Sequence, residues 1–236
     1  MTCTISALRF AARDPLLLAE FWSGVLGWEP AADDNRLLVP DDDTGFLIEF
    51  FALQEPKVGP NQMHFDLTST SVEDQQRRVA RALGSGARRI DVGQRDDEEH
   101  VVLADPAGNE FCVIEPGNGF LADCGLLGAL AGDGSQELGY FWSEALGWPL
   151  VWDQDEETAI RSPEGGPKIA WGGPPVAPKV GLSRLAFDLA PSPGEDRRDE
   201  IDRLVALGAT AVGDDRDARR VRLTDPDGND FALLSR

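Results

Sequence analysis

Residues that can do chemistry at neutral pH are sparse in this chain, and the best-placed pair is a histidine followed two positions later by an aspartate. His64 and Asp66 lie in the segment Met63–Leu67, whose composition predicts a β-strand. Alternation along a strand places both side chains on one face. An aspartate beside a histidine can fix the tautomer of the imidazole and raise its pKa, as in general-base pairs. Asp188 repeats the aspartate in a segment without a histidine, so a structural role for Asp66 is equally open.

Other reactive motifs are missing from the sequence. It contains no glycine-rich phosphate loop, no G-x-S-x-G nucleophile turn and no C-x-x-C pair. Cys3, Cys112 and Cys124 are an odd number of cysteines without metal-site spacing, a pattern typical of free thiols in a reducing cytosol. We therefore expect a cytoplasmic location.

Charge and hydropathy exclude further classes of function. The 236 residues include 42 acidic and 22 basic side chains, which gives a net charge of −20. No basic stripe suited to nucleic acid is visible. No apolar run approaches the roughly 20 residues of a membrane span. The expected partner is therefore a small molecule, and neither nucleic acid nor a membrane is expected.

The sequence repeats itself at an interval of 120 to 122 residues. The motifs FWSxxLGW, PKVG, FDL and DPxGNxF begin at residues 21, 56, 65 and 105, and return at residues 141, 178, 187 and 225. Ordered matches at nearly one interval predict two homologous domains, at residues 1–116 and 120–236, joined by a Pro/Gly linker at residues 117–119. We expect a monomer with pseudo-two-fold pairing of the domains, or a homodimer.

Each half is predicted to contain two units of a strand, a helix and further strands. In the first half, Ile5–Phe10 is typical of a buried strand. Asp14 is predicted to cap a helix that presents one apolar stripe and ends at Gly27. Ser71 is predicted to cap a second helix that ends near residues 84–86. Further strands are predicted at residues 36–39, 46–53, 63–67, 100–103 and 110–114.

The motifs FWSGVLGW, MHFDL and ADPAGNEFCV, in two βαβββ units per half, resemble the vicinal oxygen chelate superfamily and its glyoxalase-like subgroup. That superfamily includes glyoxalase I, extradiol dioxygenases and bleomycin-resistance proteins. The resemblance implies an α+β fold of two tandem glyoxalase-like domains, each with two βαβββ modules that form a cupped mixed sheet. It implies less about function, because this fold carries isomerases, dioxygenases and pure drug binders.

The resemblance also implies where a divalent metal would bind. In the first domain the family's ligand positions fall near Ile5, on His64, on Cys112, and on Glu49 or Phe51. In the second domain they fall near Gly125, Ala170 or Trp171, Ala186 and Ala232. Because most of these side chains do not bind metals, we predict no cofactor. If a divalent metal is bound after all, His64 and Glu49 are the expected ligands.

The resulting hypothesis is a small-molecule-binding protein of the sequestration or resistance type, without a complete metal site. A pocket is predicted in the first domain, with ligand contacts from His64, Asp66, Glu49, Phe51 and Cys112. The second domain is expected to be a poorer polar site, in which Trp171 could stack on a bound ring. Two carboxylates against one histidine would make this pocket acidic, which favours a cationic or aromatic ligand.

Two alternatives remain open. One is a lyase, isomerase or dioxygenase that uses a metal, or an acid–base pair in which His64 acts with Glu49 or Asp66. The other is a regulatory or interaction module without catalysis. The metal content of the purified protein would separate the first alternative from simple binding.

Overall fold

The computed structural model describes residues 2–95, 97–213 and 219–235 and confirms the α+β architecture, with two βαβββ modules in each half of the chain. Module 1 contains β1 Cys3–Ala12, α1 Pro15–Leu26, β2 Glu29–Ala31, β3 Asp34–Val39 and β4 Leu47–Ala52. Module 2 contains β5 Met63–Leu67, α2 Val72–Gly84, β6 Arg88–Arg89, β7 Val101–Ala104 and β8 Glu110–Val113. Module 3 contains β9 Leu127–Gly132, α3 Gln136–Leu146, β10 Leu150–Gln154, β11 Glu157–Ser162 and β12 Gly165–Trp171. Module 4 contains β13 Leu185–Pro191, α4 Arg197–Ala206, β14 Thr210–Ala211, β15 Arg220–Thr224 and β16 Asp230–Leu234.

The helices begin and end where the capping residues predict. The Asp14 carboxylate accepts a hydrogen bond from the Leu17 amide at 3.1 Å, and Gly27 ends α1 with a left-handed φ of 81°. The Ser71 hydroxyl accepts from the Asp74 amide at 3.1 Å and caps α2. Strands β2 and β6 were not predicted, because two or three residues are too short to show a periodic pattern. None of the described helices combines the length and apolar character needed to cross a membrane.

The sheets pair modules from different repeats. One sheet of eight strands joins modules 1 and 4 in the order β14-β15-β16-β13-β1-β4-β3-β2, and we call it the terminal sheet. The other joins modules 2 and 3 in the order β10-β11-β12-β9-β5-β8-β7-β6, and we call it the central sheet. The expectation that each repeat forms a cupped sheet of its own is therefore wrong. The reason is that β1 takes β13 as its antiparallel neighbour, and β5 takes β9.

The hydrophobic core, in contrast, joins the two modules of the same repeat. The Trp22 ring of α1 lies 6.1 Å from Phe10 in the terminal sheet, and 4.8 and 5.0 Å from Phe65 and Phe111 in the central sheet. In the second repeat, Trp142 likewise contacts aromatic rings of module 4. Each repeat is thus held together by its core, while the hydrogen-bonded sheets connect it to the other repeat.

The two strongest repeated motifs are connected by a buried hydrogen bond. The Asp105 carboxylate accepts from the Trp22 indole at 3.2 Å, from the backbone amides of Ala107 and Asn109 at 2.9 Å, and from the Asn109 side chain. Asp225 binds Trp142 at 3.4 Å in the same way. The aspartate of DPxGN therefore organises the last hairpin and also anchors the tryptophan of FWSxxLGW.

Replacement of this carboxylate should be costly. Asp105→Ala would leave the Trp22 indole and several hairpin donors without partners at a site where Asp105 is only 1% exposed. We expect a loss of about 2–4 kcal/mol in the free energy of unfolding. Chemical denaturation measures it, with Glu20→Ala on the exposed side of α1 as the control. An equal change in both variants would contradict the anchoring role.

Candidate functional site

Each sheet has one face that packs against the helices and one that is turned away from them. Phe10 and Phe65 contact Trp22 of α1, so the residues that alternate with them along β1 and β5 lie on the opposite face. We call these helix-free faces the terminal face and the central face, after their sheets. They carry the polar residues that the sequence singled out.

The terminal face is occupied by a cluster of ion pairs. Arg9 Nε lies 3.2 Å from a Glu49 carboxylate oxygen and 4.0 Å from one of Asp188. Arg220 Nε donates to Asp188 at 3.0 Å. The Arg9 guanidinium also lies 3.8 Å from the centre of the Phe51 ring. The cluster links modules 1 and 4 across the seam between β1 and β13.

This cluster neutralises its own charge, because two guanidiniums face two carboxylates. Burial raises the pKa of Asp188, and Arg220 and Arg9 oppose that shift. Burial lowers the pKa of Arg9, and so does its proximity to Arg220. A guanidinium donates hydrogen bonds and does not bind metal ions, so Arg9 makes the terminal face unsuitable as a metal centre.

The central face carries His64, Asp66 and Cys112 as a compact group. His64 Nε2 lies 3.4 Å from Asp66 Oδ1, and one ligand atom from each of the three residues lies within 4.8 Å of the others. Asp66 Oδ1 is buried and accepts no hydrogen bond within the described part of the chain. The His64 side chain remains 33% exposed. The group is therefore reachable from solvent and holds unused acceptor capacity.

The electrostatics of this group favour a charged histidine. Burial acts to lower the pKa of His64, but the interactions with Asp66 and, after it, with Cys112 outweigh burial and raise the pKa to about 10. Burial raises the pKa of the Cys112 thiol, against the effect of His64. At neutral pH the group is thus an imidazolium–carboxylate pair beside a protonated thiol. An imidazolium donates hydrogen bonds and does not act as a base.

The floor of the central face, meaning the row of residues that crosses β12, β9 and β5, differs from the equivalent row of the terminal face at all three positions. On the terminal face, Glu49 pairs with Arg9 across adjacent strands, and Arg9 pairs with Ala186. On the central face the corresponding row is Ala170, Ala131 and His64. Ala159 and then Trp152 continue this row across β11 and β10. The ion pair that fills the terminal face is replaced by a floor of alanines between His64 and Trp152.

Aromatic and apolar side chains border this floor. Trp152 is 37% exposed and meets the Phe120 ring edge-on, with 6.0 Å between the ring centres. Lys168 donates to the Phe120 carbonyl, and its ammonium lies 4.5 Å from the centre of the Phe120 ring. A small apolar cluster lies beside the polar group and contains Val102, Cys112, Ile114, Leu121 and Ala129. The face therefore combines apolar walls with a few placed polar groups, as ligand sites do.

The structure separates residues that the sequence analysis had combined. His64, Asp66 and Cys112 lie together as expected, but Glu49 and Phe51 belong to the terminal sheet. The prediction of one first-domain pocket containing all five is wrong, because the modules of one repeat contribute to different sheets. The expected acidic bias fails with it, since Arg9 and Arg220 balance Glu49 on the other face.

Two further positions also differ from expectation. Trp171 is 3% exposed in the main core, because it follows Ala170 and so lies on the helix side of β12. It has no exposed ring surface for stacking on a ligand. Ile5 also packs into the core, since a bulge between Ile5 and Ala7 shifts the alternation of β1.

Within the described residues, the central face carries the donor group that fits a divalent metal. His64, Asp66 and Cys112 supply an imidazole, a carboxylate and a thiolate, which is the number and kind of ligands found in catalytic zinc sites. Asp66 Oδ1, which has His64 Nε2 at 3.4 Å but accepts no hydrogen bond, is consistent with such a role. Metal binding would have to displace protons from both His64 and Cys112. All three donors come from module 2, because module 3 contributes only alanines to this part of the face.

Comparisons with known proteins agree with the architecture. Glyoxalase I from Zea mays superimposes with a TM-score of 0.62 at 14% identity, covering 99% of this chain and 92% of that one. A putative dioxygenase from Bacillus subtilis superimposes with a TM-score of 0.62 at 16% identity, covering 99% and 85%. At such low identities these matches show the fold alone. No curated protein matches the chain in sequence.

A family model matches the sequence directly. The model described as a glyoxalase-like domain matches twice, at residues 7–114 and at residues 129–234. Together the matches span most of the chain and follow the repeat seen in the sequence. The chain is therefore a member of the glyoxalase-like domain family and contains that domain in two tandem copies.

Proposed function

We propose that this chain is a small-molecule-binding protein whose ligand lies on the central face, over the alanine floor between His64 and Trp152. The observation that carries the proposal is the replacement of the Arg9–Glu49 pair by Ala131 and Ala170 at equivalent positions. This difference removes two large charged side chains from the central face, where Ala131 and Ala170 are half-buried and Ala159 is fully buried. Ala131 and Ala170 lie on adjacent strands about 4.8 Å apart, and His64 lies one strand further on, which matches the width of a molecule with one or two rings.

The chemistry of the border favours a flat molecule with a hydrogen-bond acceptor. The exposed Trp152 ring offers a surface for stacking. At the other end, the His64 imidazolium can donate to a carbonyl, phenolate or carboxylate oxygen. Glu49 and Asp188 lie on the terminal face and pair with Arg9 and Arg220, so they give this site no acidic bias towards a cationic ligand. The function proposed is sequestration, in the manner of the drug-binding members of this fold.

The test introduces the terminal-face pair, an arginine and a glutamate, at the equivalent alanine positions of the central face. Benzoate, naphthoate and their neutral amides are titrated into the protein and followed by calorimetry. We expect at least one of them to bind, and the double variant Ala131→Arg/Ala170→Glu to lose that binding while keeping the unfolding temperature. Val39→Ala, at an exposed position of β3 in the terminal sheet, should bind normally. Unchanged affinity in the filled variant, or binding of none of these compounds at millimolar concentration, would overturn the proposal.

The second candidate function is a metal-dependent enzyme, and the His64–Asp66–Cys112 donor set is the observation that favours it. A divalent ion held by these residues would supply a Lewis acid for substrate oxygens. The protein is reconstituted with zinc, dialysed and analysed for metal. One ion per chain that is lost in Cys112→Ser and in His64→Gln would favour the enzyme over simple binding. Loss of zinc from the wild-type protein on dialysis would favour binding.

A further inference from the structure

A second cavity lies away from both helix-free faces, at the start of α1. It has a volume of about 430 Å³ and opens between the α1 N-terminus, the loop after β4, the DPAGN hairpin and the residue before β13. Leu17, Leu18, Pro56, Pro106 and Ala107 are among its apolar lining residues. This volume lies in the range of small-molecule sites, and the wall is mainly apolar.

The polar lining of this cavity is unusually basic for a chain of net charge −20. Arg13, Lys57 and Arg184 all contribute to it. Lys57 is engaged with Glu110 at 2.6 Å, and Arg184 donates to the Glu55 carbonyl at 2.6 Å. Within the described residues, neither Arg13 nor Arg184 forms an ion pair with a carboxylate. Burial lowers the pKa of Arg184, and so does its proximity to Arg13.

The start of α3 provides an internal comparison with the start of α1, because an equivalent backbone hydrogen bond lies beside each helix. The Ala11 amide donates to the Arg184 carbonyl at 2.8 Å, and the Asp133 amide donates to the Gln62 carbonyl at 3.0 Å. Gln62 therefore occupies, beside the start of α3, the position that Arg184 occupies beside the start of α1. The residue before the helix cap likewise changes, from Arg13 to Gly134. Both guanidiniums are specific to the first-repeat cavity.

In the second repeat, a carboxylate of the same repeat binds the N-terminus of α3. Asp227 of the DPDGN hairpin accepts hydrogen bonds from the Ser135 amide at 2.6 Å and the Ser135 hydroxyl at 2.9 Å. The hairpin of the first repeat has Ala107 at that position. The start of α1 thus lacks an equivalent of the Asp227 carboxylate, and Arg13 of the first repeat and Arg184 of the second line the cavity there. The carboxylate of Asp14 also lines the cavity, but it faces the Leu17 amide as the helix cap.

We propose that this cavity binds the carboxylate of a small organic acid, with Arg13 and Arg184 on the carboxylate and Leu17 and Pro106 on the apolar part. The external carboxylate takes the position that Asp227 fills in the second repeat. Guanidinium groups suit this ligand, since their donors match the two oxygens of a carboxylate. The site is independent of the central face and of the ligand proposed there.

The experiment uses hexanoate as the probe, labelled with ¹³C at the carboxyl carbon, and hexanol as the uncharged counterpart. Binding is followed by line broadening of the label and by calorimetry with the full chain. We expect hexanoate to bind and hexanol not to bind. Arg13→Gln and Arg184→Gln should each weaken hexanoate binding about tenfold or more. Ala107→Asp, which copies Asp227, should abolish it.

Two control variants separate this site from general charge effects and from the central face. Arg89→Gln removes one exposed positive charge elsewhere and should leave hexanoate binding unchanged. Trp152→Ala should also leave it unchanged, since Trp152 belongs to the central face. Normal hexanoate binding by Ala107→Asp, equal weakening by Arg89→Gln and Arg184→Gln, or the absence of hexanoate binding at millimolar concentration would overturn the proposal.

Discussion

Residues 1–118, expressed without the second repeat, should form a dimer rather than a folded monomer. The fragment keeps the core around Trp22, because that core joins modules 1 and 2. It loses the partners of both inner strands, since β1 pairs with β13 at seven positions and β5 pairs with β9 at five. Two long unpaired strand edges are an unstable arrangement in a monomer.

A second copy of the fragment can supply both missing partners. Modules 2 and 4 occupy equivalent places in the two repeats, so β5 of one copy can replace β13 beside β1 of the other. The same contact then forms twice around a two-fold axis, which closes the assembly. Light scattering should give twice the mass of the fragment, and dilution should unfold it. A fragment that remains folded and monomeric at low micromolar concentration would contradict the pairing across repeats.

The modules could be predicted from the sequence, but their pairing could not. Periodicity and caps such as Asp14 and Ser71 act over a few residues, so they define elements directly from local sequence. Either β5 or β13 could pair with the free edge of β1, and in the folded chain β13 does so. Both strands carry the FDL motif and have similar apolar patterns, so the sequence contains no signal that separates them. The choice depends on how the complete chain packs.

The same difference between local sequence pattern and module pairing explains which parts of the candidate site could be predicted. His64 and Asp66 are two residues apart on one strand, and their shared face followed from alternation alone. Cys112 lies on a strand of the same module, and the family resemblance placed it nearby. Glu49 was assigned to the wrong face because its position depends on the pairing of modules. The sequence analysis did not single out Arg9. The strand registers show that Ala131 of β9 occupies the position equivalent to Arg9 of β1.

The protonation of His64 should depend mainly on Asp66, with a smaller contribution from Cys112. In the wild-type protein the pKa of His64 is raised to about 10, although burial alone acts to lower it. Asp66→Asn removes the nearby negative charge and leaves the burial, so the pKa of His64 should fall by about 2–3 units. NMR titration of the imidazole Hε1 signal measures this shift. The chain has only two histidines, so His100→Gln identifies the signal of His64.

The stability of the protein should follow the same titration. The folded-state pKa of His64 lies above the ordinary histidine value of 6.5, so the stabilisation by the His64–Asp66 pair is complete below about pH 6.5 and is lost as the pH rises towards 10. The difference in the free energy of unfolding between wild type and Asp66→Asn should therefore shrink over that range. His100→Gln leaves the His64–Asp66–Cys112 group unchanged and should preserve the pH dependence of the wild type. A difference that stays constant from pH 6 to 10, or a His64 signal that titrates near 6.5, would show that the histidine is neutral at physiological pH. The imidazole would then be available as a base or a metal ligand, and the case for a catalytic role on the central face would become stronger than the case for binding.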